Sequence, residues 1–217
     1  MKVIGLSGVA GSGKDTFFAI LQSKIDCRRL SLADKLKQEV QDWCATNYGI
    51  DPLNCTREEK EIIRPFLVFH ATLRRESSEG RYWVDQLDQA FNIASPFNQF
   101  PVVNEEGVIL RSDETIVITD IRYDDYDEDE VYWLKNELDG MLVHVSQYED
   151  ELDSNTGWEK RTCKAPANEE EARNDPKIKE KADYNVVWPK VPCDSEKELY
   201  DLLSPYVEDF VVWMKNQ

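Results

Sequence analysis

Hydrophobic positions in this chain fall in short runs, and polar or turn-forming residues separate the runs. "KVIGLS" at residues 2–7 is a compact run ending at a glycine-rich loop. In "KDTFFAILQSKI" Phe17, Phe18, Leu21 and Ile25 recur at helical spacing, so the pattern predicts strand, loop and helix in that order. "CRRLSLA" predicts a second strand. "DKLKQEVQDWCATNYG" predicts a helix with Asp34 near its start, Leu36, Val40 and Trp43 on one side, and Gly49 beyond its end. "TREEKEIIRPFLVFHATLRRE" opens on a Thr56 cap and an acidic first turn, and Pro65 predicts a kink or a restart within it. "RYWVDQLDQAFNIA" predicts a further helix.

The periodicity lapses over residues 93–114, where Pro96, Pro101 and Gly107 point to an irregular insert or a small hairpin. "TIVITD" then gives a β-branched run closed by an acid, "EDEVYWLKNEL" a helix and "GMLVHVS" another strand. Residues 147–181 are polar, charged and turn-rich. "YNVVW" reads as a last strand, and "SEKELYDLLSPYVEDFVVWMK" as an amphipathic helix interrupted by Pro205. Five strands alternating with helices predict a layered α/β fold with a mainly parallel sheet in a single domain. Such sheets bind ligands at the carboxyl ends of their strands, which brings Gly8 to Thr16, Ala33–Asp34, Asp120–Arg122 and the segment after Ser146 to one edge.

Composition narrows the function classes. A formal charge of -17 opposes loose attraction to nucleic acid, because that attraction needs a net basic surface. Cys27, Cys44, Cys55, Cys163 and Cys193 are odd in number, widely spaced and without a CxxC pair, which indicates neither a disulfide framework nor a zinc site and suits a reducing, cytoplasmic compartment. No run is long enough to span a membrane, and the N-terminus passes into the glycine loop without a cleavage site. With only His70 and His144 present, a packed or surface histidine is favoured over triad or metal chemistry.

The chemistry lies at the strand ends. "GLSGVAGSGKDT" contains Gly8, four residues, Gly13 and Lys14, the phosphate-binding spacing, with Gly11 and Ser12 inside the loop. The loop offers backbone N–H groups and a helix N-terminus to phosphate oxygens, and Lys14 contacts the terminal phosphates. Asp15 stands where a hydroxyl is usual and Thr16 follows one residue later, so Thr16 is the candidate for Mg²⁺ or phosphate. Asp15 itself is read as structural in preference to a catalytic base. Asp120 closes an apolar strand and so has the setting of a magnesium carboxylate, its alternative being a cap or turn aspartate, and Arg122, two residues on, would point to the same side if the strand continued. Arg64, Arg74 and Arg75 lie among the cations of the helical region over 57–92, which offers two or three arginines to an acceptor phosphate beside ordinary pairing within helices. Trp83 and Tyr82 suit base stacking or core packing. The run "DDYDEDE" reads as a solvated loop and helix start.

Together "GLSGVAGSGKDT", "LADKLK", "TREEKEIIRP", "RYWVDQL", "VITDIR" and "ADYNVVWP" resemble the bacteriophage-type deoxynucleoside monophosphate kinases of the P-loop kinase superfamily. The resemblance runs from Gly5 to Pro189. "ADYNVV" also resembles the last strand of dephospho-coenzyme A kinases. The resemblance implies ATP and Mg²⁺ as cofactors: Gly8 to Thr16 hold the ATP phosphates, Asp34 and Lys37 border the acceptor, Thr16 and Asp120 serve magnesium, and Asp120 and Arg122 bridge it to phosphate. It further implies a lid over residues 147–175, with Arg161, Lys160 and Lys164 reaching ATP. Lys35 replaces a frequent proline, the segment after "TDIR" is unusually acidic, and "VSQYED" lacks the arginine common after that strand. Members of the family are often dimers, which makes a homodimer an expectation here.

The reading that follows is transfer of the ATP γ-phosphoryl to a deoxynucleoside monophosphate, whose anionic acceptor needs no strong base. A second reading places the acceptor on the hydroxymethyl group of 5-hydroxymethyluracil in phage DNA, with Asp34 or Asp15 as base. A third is a nucleotide-binding protein without turnover.

Overall fold

The computed structural model describes residues 2–92, 114–152, 159–193 and 195–217. The predicted insert lies almost wholly outside the described residues. Strand β1 (Lys2–Ser7) runs into the glycine loop and helix α1 (Lys14–Gln22), followed by β2 (Cys27–Leu30), α2 (Leu32–Tyr48), α3 (Arg57–Ser77) and α4 (Arg81–Asn92). After the insert come β3 (Thr115–Ile118), the short α5 (Glu130–Tyr132) continued by a π-helical turn over Trp133–Glu137, and β4 (Met141–Leu152). The chain then forms β5 (Glu159–Cys163), α6 (Glu169–Lys181), β6 (Tyr184–Pro189) and α7 (Glu196–Lys215).

The sheet has six strands. Five of them, in the order β2, β3, β1, β4, β6, are parallel, as the alternation of strands and helices predicts. The sixth, β5, is antiparallel to the far half of β4, with Asp150 opposite Arg161. Tyr148 has both Cys163 and Pro189 as partners, so β5 and β6 flank β4 on opposite sides, and β5 continues the edge that β1 leaves at Ser7. Among the described residues, the polar, turn-rich region that opens at residue 147 holds the far half of β4, its antiparallel partner β5 and then α6.

Alternation along β1 feeds two cores. Ile4 and Leu6 face one side, where α1 and α7 contribute Phe17, Leu21, Val207 and Phe210. Val3 faces the other, packed with Trp83, Val84 and Leu87 of α4 and Ile178 of α6. Helices α2 and α3 close over a smaller cluster of Val40, Cys44, Ile63 and Leu67. Pro65 and Pro205 both sit inside continuous helices, so neither helix stops and restarts at its proline. Each is flanked by residues whose burial holds the helix in place: Ile63 and Leu67 in α3, Leu203 and Val207 in α7. The α3 N-terminus is as predicted, with the Thr56 hydroxyl accepting from Glu59 N and the Glu59 carboxylate accepting from Thr56 N.

Candidate active site

The glycine loop turns at the carboxyl end of the central strand β1, between β3 and β4, where both neighbours bring polar residues to the same edge. Gly13 caps α1 with φ +97°, and a β-carbon there would stand 2.6 Å from Cζ2 of the buried Trp188. Gly8 has φ +127° and lies so close to β4 that a β-carbon would meet the Val145 carbonyl oxygen. Both positions require glycine. The loop is thus moulded on the strands beside it, with Trp188 Nε1 donating to the Ser12 carbonyl at 2.9 Å.

Lys14 is buried and folds back across the loop, its Nζ donating to the carbonyls of Gly8 (2.5 Å) and Val9 (2.9 Å). Burial, with the Arg122 guanidinium nearby, lowers its ammonium from the ordinary 10.5 to about 8, against the pull of Glu171, Asp15 and Asp120. The Ala10 N–H points at Glu171 of α6, whose two carboxylate oxygens each lie 3.2 Å away. Arg122 Nη1 is 3.8 Å from the same carboxylate. The Lys164 ammonium lies against Gly11, 2.7 Å from where a β-carbon would be. Asp15 is exposed and Thr16 half-buried in the first turn of α1.

Asp120 serves the start of α2. Its Oδ2 accepts from the Ser31 hydroxyl and Ala33 N, both at 2.8 Å, and its Oδ1 accepts from Leu32 N at 2.9 Å. Ser31 is the N-cap of α2 yet makes no cap bond of its own, so Asp120 supplies the cap from the segment just beyond β3. This is the alternative the sequence raised for Asp120. A carboxylate has about four acceptor positions, so one remains for a further donor such as a metal-bound water. Among the described residues no cluster of three or more His, Cys, Asp or Glu side chains is arranged to hold a metal ion by itself. An ion at this edge would therefore bring most of its own ligands, as Mg²⁺ on a nucleotide does, with Thr16 and the remaining lone pair of Asp120 as the candidates to receive it.

Asp34 accepts from Arg29 Nη1 at 2.6 Å and Lys37 Nζ at 3.0 Å. Half-burial works to raise its carboxyl, and the bonds from these two cations outweigh it and hold the group below its usual range. Arg29 near the end of β2 and Asp34 and Lys37 in the first turns of α2 form one partly exposed cluster. The sequence singled out Asp34 and Lys37 but not Arg29, although its position at the end of the second predicted strand was the available signal.

No protein-family model matches the chain, and no curated protein does. Among solved structures it is similar to dephospho-CoA kinase from Campylobacter jejuni. The identity is 15%, over 96% of this chain and 99% of that one, with a TM-score of 0.41. At that score the overlap carries no weight in reading the site, which rests on its own side chains.

The arginines expected at an acceptor phosphate are dispersed. Arg75 is buried, bidentate to Asp129 at 2.8 and 3.0 Å and 3.4 Å from Glu130, with its guanidinium 3.6 Å above the Tyr123 ring. Asp129 and Glu130 are consequently buried rather than solvated, and the Glu130 carboxylate accepts from the backbone N–H groups of Arg122 (2.6 Å) and Tyr123 (3.1 Å). Arg74 is tied to Glu39, which also accepts from the Tyr82 hydroxyl and lies 2.9 Å from His70 Nε2. Arg64 pairs with Glu61 on its own helix. Trp83 is core, with its indole N–H donating to the Ala71 carbonyl at 3.3 Å. Arg161 lies on β5 over the Tyr148 ring at 3.8 Å and bonds Asp150 at 3.2 Å. Both histidines are partnered, His144 being buried with Asp175 at 3.0 Å and Ser146 at 3.2 Å.

Proposed function

We propose that this protein is an ATP-dependent kinase whose glycine loop holds the phosphates of the donor, and that its acceptor is a deoxynucleoside monophosphate. The observation that carries the reading is the carboxylate seated at Ala10 N–H, with Arg122 beside it and Lys14 in its field. It marks a place on the loop built to receive anionic oxygens.

In this reading the loop amides orient the donor phosphates, and Lys14 leaves the Gly8 and Val9 carbonyls to contact them. Bound Mg²⁺ would neutralise charge on the transferred group, held through Thr16 and the free acceptor position of Asp120. Arg122 is fixed through its own backbone N–H by Glu130, which leaves its half-exposed guanidinium to follow the phosphoryl group. Positioning and charge neutralisation of this kind supply most of the catalysis in phosphoryl transfer.

The cluster of Arg29, Asp34 and Lys37 supports an anionic acceptor: Asp34 carries two cations and is held ionised, which suits binding a charged substrate and makes it a weak base for a hydroxyl. Modified DNA as acceptor gains no support from a charge of -17. A test is turnover of Mg²⁺-ATP with deoxynucleoside monophosphates by the native chain and by Lys14→Ala. Loss of transfer in a folded variant is expected, and undiminished turnover would sink the donor-site assignment.

A further inference from the structure

Glu171 is the third residue of α6, where a helix of this start would ordinarily turn its carboxylate back onto the Asn168 N–H. It does otherwise. Oε2 accepts from Ala167 N at 2.9 Å, and both oxygens face the Ala10 N–H of the glycine loop, 161 residues away. The neighbouring Glu169 and Glu170 are exposed, whereas the Glu171 side chain keeps only 12% of its surface. Two backbone donors, the Arg122 guanidinium and the nearby Lys14 ammonium surround it, which is the set of partners a phosphoryl oxygen requires.

We infer that Glu171 is an internal anion seated in the phosphate subsite of the loop, which the donor's terminal phosphoryl group displaces, so that this residue sets donor affinity and separates ATP from ADP. This rests on the donor-site reading above. The single Ala10 N–H cannot serve two anions at full strength, and a phosphate beside the Glu171 carboxylate is repelled by it, so entry of the terminal phosphate releases Glu171 and with it the tie between α6 and the loop. The apparent affinity for the nucleotide is reduced by the fraction of molecules in which the carboxylate holds the subsite. ADP, lacking the terminal group, leaves Glu171 in place and carries no such cost.

The test is calorimetric titration of the native chain, Glu171→Gln, Glu171→Ala and Glu171→Asp with Mg²⁺-ATP, Mg²⁺-ADP and metal-free ATP. Glu171→Asp keeps the charge in the first turn of α6 while shortening the reach to Ala10, and thermal unfolding checks that each variant folds. All three variants should bind Mg²⁺-ATP about tenfold more tightly, with Mg²⁺-ADP changed less than about twofold. In the native chain, ATP but not ADP should speed hydrogen exchange at residues 167–172. Unchanged ATP affinity would reduce Glu171 to a helix cap and overturn the inference. Weaker binding only in the presence of Mg²⁺ would make it a metal ligand, and weaker binding of every nucleotide would make it part of the loop's support; either result also overturns it. Failure of the native chain and all variants to bind any nucleotide would instead overturn the donor-site reading beneath it.

Discussion

Trp188 and Gly13 occupy each other's space: the indole Cζ2 stands 2.6 Å from where a β-carbon on Gly13 would be, and the indole N–H holds the carbonyl of Ser12 next door. A residue of the last strand thereby shapes a loop 176 residues away, and the ring is itself fixed in the core at 6.1 Å from Phe17. Gly13→Ala combines a left-handed backbone with this clash and should cost roughly 2–4 kcal/mol of stability together with nucleotide binding. Trp188→Phe removes the hydrogen bond and part of the ring, and should cost about 1–3 kcal/mol. Urea unfolding measures both, and a neutral Gly13→Ala would refute the packing described.

Arg75 should prove structural. Arg75→Ala leaves Asp129 buried without its cation, a loss of about 3–5 kcal/mol. Arg64→Ala, which breaks only an exposed pair within α3, should change stability by less than about 0.5 kcal/mol. Equal thermal shifts for the two would contradict the burial of the Arg75 cluster.

Glu130 gives the fold a pH dependence. Burial, with the neighbouring Asp129 adding to it and Arg75 opposing it, raises this carboxyl from 4.5 to about 8. Between those values the folded chain keeps a proton that the unfolded chain has released. Its contribution is therefore complete below about pH 4.5 and is lost as pH rises toward 8. Unfolding free energy should decline from pH 5 to 8 in the native chain more steeply than in Glu130→Gln. Parallel profiles would show that Glu130 is not the group responsible.

Lys14 links nucleotide binding to protons. With its ammonium lowered to about 8 by burial and Arg122, it is increasingly neutral above that pH, and phosphate contact restores the charge. Calorimetry in buffers of different ionisation enthalpy should show uptake approaching one proton per nucleotide near pH 9 and almost none near pH 6.5. Absence of uptake at the higher pH would mean that Lys14 does not meet the phosphates.

Asp120→Ala should destabilise the protein by about 1–2 kcal/mol whether or not Mg²⁺ is present, because it uncaps α2. A loss of stability confined to samples containing Mg²⁺ and nucleotide would assign the carboxylate to the metal alone.

What could be read from the sequence follows the physics of each feature. The run from Lys2 to Gln22 shows its strand, loop and helix openly, because a short, continuously buried apolar run, the glycine spacing and a 3.6-residue stripe are local patterns. The fate of the arginines was hidden. In α3 charges of both signs alternate, and only the approach of Asp129 and Glu130, more than fifty residues away, takes Arg75 inside and leaves Arg64 in solvent. The same distance conceals Glu171, which looks in sequence like one of three acids opening a helix and is singled out only when α6 docks beside the loop. The β4–β5 pairing leaves little trace in the sequence because Glu149 and Asp150 of β4 and Arg161, Thr162 and Cys163 of β5 are all exposed, so no alternation marks them.

The deciding measurement is ³¹P NMR of the chain incubated with Mg²⁺-ATP and each deoxynucleoside monophosphate in turn, alongside DNA carrying 5-hydroxymethyluracil. Appearance of a deoxynucleoside diphosphate with matching ADP is the expected result. Phosphate appearing only on the DNA, or ATP left intact with every acceptor by a protein that binds it, would contradict the function proposed here.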